Sequence, residues 1–179
     1  MRRSTPSPAK VTFVTGPADV PQPQGVEVVA VETAREMKDA VEAALPADAA
    51  IFAAAVADWR MASETASKIK KQDGALPVLE FAENPDILAG VAQMDAGRPP
   101  LVIGFAAETD DVIANATAKR ARKGCDWIVA NDVSAETGIM GGSENAVTLI
   151  SEAGADVWPR MSKEKVAAQL AQRVAEALL

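Results

Sequence analysis

Ala50-Ile51-Phe52-Ala53-Ala54-Ala55-Val56-Ala57-Asp58 is an unbroken apolar run that stops at an aspartate. An apolar stretch without alternation, here Ala50 to Val56, predicts a strand buried on both faces, as in a parallel sheet covered by helices on each side. Leu101 to Ala106 has the same character. Outward from these two, Val11 to Val14, Val26 to Val31, Asp126 to Ala130 and Ala146 to Ile150 read as further strands. Thr33 is set to cap a helix through Ala44, with Ala34, Met37, Ala40, Val41 and Ala44 at helical spacing. Asn84-Pro85-Asp86 reads as a second helix start, with Asn84 as cap, running to about Met94. A third helix is expected from about Asp110 to Lys123. A fourth, capped by Ser162, places Val166, Leu170, Val174 and Leu178 on one face. Strands alternating with helices predict an α/β fold: a doubly wound, mostly parallel, Rossmann-like sheet with helices on both faces. Pro17 to Gly25 and Trp59 to Pro77 read as loops, the second long enough to serve as a lid. Residues 1–10 read as a tail and 11–179 as a single domain.

The chain has 179 residues, 49% hydrophobic and 24% charged, with a net charge of −7. The acidic balance speaks against a nucleic-acid partner, which needs a basic footprint. No apolar run approaches the roughly 18 residues of a membrane span, so no membrane association is expected. One cysteine, Cys125, rules out an internal disulfide framework and fits a reducing, cytoplasmic setting. There is no histidine and no tyrosine. Histidine-based nucleophilic catalysis and histidine-ligated metals are thereby excluded. Chemistry would rest on positioning, lysine charge, carboxylates and a hard cation such as Mg²⁺.

Cations cluster in two places, at Lys68, Lys70 and Lys71 and at Lys119, Arg120, Arg122 and Lys123. Basic clusters in an acidic molecule favour a small anionic ligand. In doubly wound sheets ligands sit beyond the carboxyl ends of the strands. Ala53 to Asp58 and Gly104 to Thr109 fall at such ends. Each has a plainer reading. The alanines could be tight packing, Asp58 a turn residue, Pro85 to Leu88 an ordinary capped helix, and Lys119 and Lys123 partners of the helix dipole. Cys125 reads as a buried strand residue. The three tryptophans read as core or interface.

Taken in order, Ala53 to Asp58, Lys68-Ile69-Lys70-Lys71, Asn84 to Leu88, Gly104 to Thr109, Ala118 to Lys123 and Ala130 to Val133 resemble the motifs of bacterial phosphopantothenoylcysteine synthetase. That domain is usually the C-terminal half of a bifunctional coenzyme A biosynthesis protein. The resemblance runs from about Val11 to the C-terminus. It implies ligation of 4′-phosphopantothenate to cysteine, with CTP and Mg²⁺ forming an acyl-cytidylate before the cysteine amine displaces CMP. It implies CTP contacts at Phe52, Ala53, Ala54, Asp58, Lys68, Pro85, Asp86, Ile87, Leu88, Phe105, Lys119 and Lys123, with Lys68 also catalytic. A homodimer is implied, and FMN only where a flavin-dependent decarboxylase half accompanies the domain. The family carries a strand, a glycine-rich turn and an asparagine-bearing segment before the strand at Val11, which Met1 to Lys10 do not match. Two further expectations follow from that: a CTP-binding and dimerisation module deficient in catalysis, or a structural dimerisation fragment.

Overall fold

The computed structural model describes residues 9–18, 20–63, 79–134 and 142–179. In chain order the elements are β1 (Thr12–Thr15), β2 (Glu27–Ala30), α1 (Ala34–Ala43), β3 (Ala49–Phe52), β4 (Trp59–Met61), β5 (Phe81–Glu83), α2 (Ile87–Ala92), β6 (Leu101–Glu108), α3 (Val112–Lys123), β7 (Trp127–Asp132), β8 (Glu144–Asn145), β9 (Val147–Ser151), β10 (Gly154–Val157), β11 (Met161–Ser162) and α4 (Lys163–Ala177). They divide into two compact units. One comprises Met1–Ala44 with Val56–Pro85, the other Leu45–Ala55 with Asp86–Leu179.

The second unit holds a five-stranded sheet in the order β10-β9-β7-β6-β3. Strands β3, β6 and β7 are parallel, and β9 and β10 join antiparallel. The expected parallel α/β sheet is present with a mixed edge. The reversal at β9 follows from its connection, since no helix lies between β7 and β9 among the described residues to carry a parallel crossover.

Alternation along β6 divides its side chains between two layers. Leu101 and Ile103 join Val129, Val147, Leu149 and Trp158 beneath Val166 and Leu170 of α4. Val102, Gly104 and Ala106 face the other way, towards α2 and α3, with Ile128 and Ala116 in that layer. Val102, Ile103, Ile128 and Val129 have 0% exposure. Each such side chain contributes about 1.5–3 kcal/mol by leaving water. Ser162 caps α4 as expected, accepting from the Lys165 N–H at 3.3 Å. Leu178 is the C-cap and is 40% exposed, so the buried face ends before it.

The amino-terminal end of this sheet is fastened by ions. Asp126 Oδ2 accepts from the Val102 N–H at 2.7 Å and from Arg98 at 2.9 Å. The same guanidinium donates to the Ala92 carbonyl at 2.7 Å. One arginine thus ties the end of α2, the start of β6 and the turn between α3 and β7. Gly124 closes α3 in the left-handed conformation, φ 72°, which favours glycine.

The first unit contains the parallel pair β1–β2 with α1, and the antiparallel hairpin β4–β5. Thr33 caps α1 within a full capping box, Glu36 reaching back to the Thr33 N–H at 3.0 Å while the Thr33 hydroxyl accepts from the Glu36 N–H at 3.1 Å. The backbone N–H groups of Glu32 and Thr33, both donating to this carboxylate, hold the Glu36 carboxyl below its usual value.

Three sequence expectations change. The run from Ala50 to Val56 is a strand only to Phe52, and β3 stands last in the five-stranded sheet among the described residues, with Ile51 49% exposed, so it is not buried on both faces. Trp59 to Met61, read as the start of a loop, is β4. Trp59 itself is 58% exposed, which excludes the core. The cap of α2 is Asp86, not Asn84, because Asp86 supplies the side-chain oxygen to Ala89. Cys125 is buried as expected but lies in the turn between α3 and β7, not in a strand, and burial pushes its thiol pKa up. Lys68, Lys70 and Lys71 lie outside the described residues.

Candidate functional site

At the carboxyl end of β3 the chain leaves regular structure immediately after Phe52, so Ala53 and Ala54 are exposed backbone. Phe52 pairs in register with Gly104 of β6, which places both on the face that carries α2. Gly104 is what lets α2 settle there. A Cβ at this position would lie 2.5 Å from Leu88 Cδ2 and 2.9 Å from Ile128 Cδ1. Ile87 is buried and Leu88 half-buried, so two of the candidate contacts at this helix start are packing residues through their side chains.

Asp86 and Lys123, singled out separately in the sequence, are a pair. The Lys123 ammonium bonds the Asp86 carboxylate, whose other oxygen accepts from the Ala89 N–H at 3.1 Å. Partial burial works against the charge of Asp86. The hydrogen bonds from Lys123 and Ala89, with the charges of Lys123 and Arg122, outweigh it and hold the carboxyl below its usual range. At the other end of α2, Gln93 donates to the Arg122 and Lys123 carbonyls at 3.4 and 3.2 Å. The last turn of α3 therefore brackets α2 from cap to cap. Since α2 has six residues and its first turn is capped by Asp86, its dipole is a small contribution to anion binding.

Phe105 lies on the opposite face of β6, packed beside the layer under α4. Lys119 is half-buried, with no hydrogen bond or ion pair among the described residues. Arg120, one residue on, donates to the Asp126 carbonyl at 3.3 Å. No group of three metal-ligating side chains gathers among the described residues.

In the first unit, Asp58 is exposed and precedes β4. Asn84 binds there twice, through its N–H to the Asp58 carbonyl and its Nδ2 to the Ala57 carbonyl, both at 2.8 Å. Pro85, which follows, is half-buried.

The sequence reading missed this use of Asn84 and the seating role of Gly104. An asparagine before Pro-Asp signals a cap as readily as a clamp. A glycine in mid-strand is the available signal for close approach. A surface depression of about 430 Å³ along α4, lined by Asp156, Gln169, Gln172 and Arg173, shares none of the candidate residues.

The chain is 41% identical over 170 residues to the coenzyme A biosynthesis bifunctional protein CoaBC of Vibrio parahaemolyticus, covering 94% of this chain and 42% of that protein. It is 45% identical over 159 residues to CoaBC of Escherichia coli K12, covering 87% and 39% respectively. The chain thus spans about two-fifths of the length of these relatives. Its fold matches the crystal structure of the C-terminal domain of CoaBC with a TM-score of 0.73 at 32% identity, covering 94% of this chain and 74% of that one. It also matches a DNA/pantothenate metabolism flavoprotein from Streptococcus pneumoniae, TM-score 0.72 at 18% identity, a likeness of fold alone. Residues 3–178 match the family described as the DNA/pantothenate metabolism flavoprotein C-terminal domain, and the chain belongs to that family.

Proposed function

We propose that this domain joins 4′-phosphopantothenate to cysteine at the expense of CTP, as a step in coenzyme A biosynthesis. The observation that carries the reading is the seated helix start. In a chain of this family, Pro85 to Leu88 begin a helix held down on Gly104 and coupled through Asp86 to Lys123. Phe52, Ala53 and Ala54 supply backbone at the end of a parallel strand, where nucleotides are accommodated in such sheets. Lys119 is available as a phosphate partner, and Lys123 can exchange Asp86 for a more highly charged phosphate. Phe105 would meet the nucleotide by its backbone or ring edge, since its ring is packed on the α4 side.

The chemistry is two displacements. The phosphopantothenate carboxylate attacks the α-phosphorus of CTP, and pyrophosphate leaves. The cysteine amine then attacks the acyl carbon of the acyl-cytidylate, and CMP leaves with the bonding pair. Lys68 stabilises charge developing at the phosphates in the first step, as a mobile point charge suited to phosphate. Mg²⁺ belongs to the same proposal as a companion of the triphosphate, since such an ion takes one or two protein carboxylates and draws its other ligands from phosphates and water. When bound it neutralises phosphate charge. A homodimer is part of the same proposal.

Pyrophosphate release that requires CTP, Mg²⁺ and 4′-phosphopantothenate tests the reading. Lys68→Gln is expected to lower it by about a hundredfold or more, the scale of losing one charged donor to a transition state. Unchanged turnover removes Lys68 from the mechanism. CTP binding without any turnover favours the catalytically deficient CTP-binding module instead.

A further inference from the structure

Asn84 is used differently from what its place before Pro85 and Asp86 suggests. It leaves the capping of α2 to Asp86 and turns its hydrogen bonds the other way, onto the segment before β4. Its backbone N–H donates to the Asp58 carbonyl at 2.8 Å, extending the β4–β5 ladder one step beyond the Trp59↔Glu83 pair. Its side-chain Nδ2 donates to the Ala57 carbonyl, also at 2.8 Å. The Arg60 guanidinium grips the neighbouring Glu83 carbonyl on the same hairpin.

The two carbonyls held by Asn84 belong to the two peptide planes that flank the Asp58 Cα. Peptide planes are rigid, so fixing both fixes φ and ψ at Asp58 and with them the direction of its Cα–Cβ bond. Meanwhile the Asp58 carboxylate is exposed and makes no hydrogen bond or ion pair among the described residues. A pinned backbone beneath a free carboxylate is an arrangement for presenting that carboxylate to a ligand, with the orientation cost met before binding.

We propose that Asn84 is the positioning residue for Asp58, aiming its carboxylate at hydrogen-bond donors of the nucleoside half of a nucleotide. This rests on the nucleotide reading given under the proposed function. Asn84 itself touches no ligand in this account; it acts through Asp58.

Calorimetric titration of the full chain with CTP, and separately with inorganic triphosphate, tests it. Asp58→Ala and Asn84→Ala are each expected to weaken CTP binding by about tenfold, the worth of one hydrogen bond to a charged group. The double variant should be no weaker than Asp58→Ala alone, and triphosphate binding should not change in any of the three. Asn84→Leu keeps the side-chain volume without the donor. It makes the same prediction should the alanine variant fail to fold. The proposal is overturned if the Asn84 variants bind CTP like the parent, if the double variant loses the product of the two single effects, or if triphosphate affinity falls in parallel. If Asp58→Ala leaves CTP binding intact, the nucleotide assignment of Asp58 fails, and the proposed role of Asn84 fails with it. That outcome is distinct from a silent Asn84 beside a sensitive Asp58.

Discussion

The β1–β2 pair with α1 and the β6–β7 pair with α3 begin from similar material: valine-bearing parallel strands joined to an amphipathic helix. They end differently. No described residue of the first unit is buried, whereas Val102, Ile103, Ile128 and Val129 in the second are at 0% exposure. The first pair is four residues long and forms a two-stranded sheet among the described residues. The second is flanked by β3 and β9 and covered by helices on both faces. Burial here is decided by the width of the sheet and its two-sided cover, more than by the apolar content of a strand. The first unit depends correspondingly more on local devices, such as the Thr33 capping box and the double bond made by Asn84.

The sharpest attempt to break this contrast is a pair of core truncations. Ile103→Ala should cost about 2–5 kcal/mol in chemical denaturation, from lost transfer energy and the cavity left behind. Val14→Ala, at a half-buried site, should cost about 1 kcal/mol or less. Equal costs would mean that the first unit has a core of its own. Next in size is Asp126→Ala, which strips the Val102 N–H and the Arg98 guanidinium of their shared acceptor. A loss of about 2 kcal/mol is expected in the same assay. A loss within error would show that β9 and the α4 layer hold β6 without the ionic fastening.

Thr33→Ala probes the first unit's reliance on local structure. It should cost about 1 kcal/mol and speed amide exchange through α1, leaving β6 and β7 protected. Protection lost equally in both units would couple them and dissolve the comparison. The smallest effect is electrostatic. Because the Asp86 pKa is lowered on folding, its contribution is full above the ordinary aspartate value of 3.8 and fades as pH falls through the lower folded value. With its side chain 47% exposed, solvent screening keeps this under about 1 kcal/mol. Asp86→Asn should flatten that part of the acid stability curve. An unaltered slope below pH 4 would show that the pair with Lys123 contributes nothing.

Much of the candidate site was legible because its parts are local signals. Small residues after a buried run, a Pro-Asp helix start and lysines one helical turn apart can all be read from spacing. The union of Asp86 with Lys123 could not, since 37 residues separate them and only packing brings them together. The hairpin β4–β5 was missed for a similar reason. Its strands have three residues each and pair across a segment with no alternating pattern to announce it. The side of β6 on which Phe105 lies follows from a period-two pattern, but which side carries α2 depends on what packs there.

Composition and order alone established the α/β class, the exclusion of histidine chemistry, the caps of α1 and α4, and the family resemblance. All of these depend on residue identity and on interactions within a few positions. The tertiary structure decided which apolar runs are buried, the antiparallel entry of β9, the seating of α2 on Gly104, and the turn of Asn84 towards Asp58 rather than into its own helix. Each of these is a choice between local conformations of similar energy, and contacts between residues distant in sequence settle it.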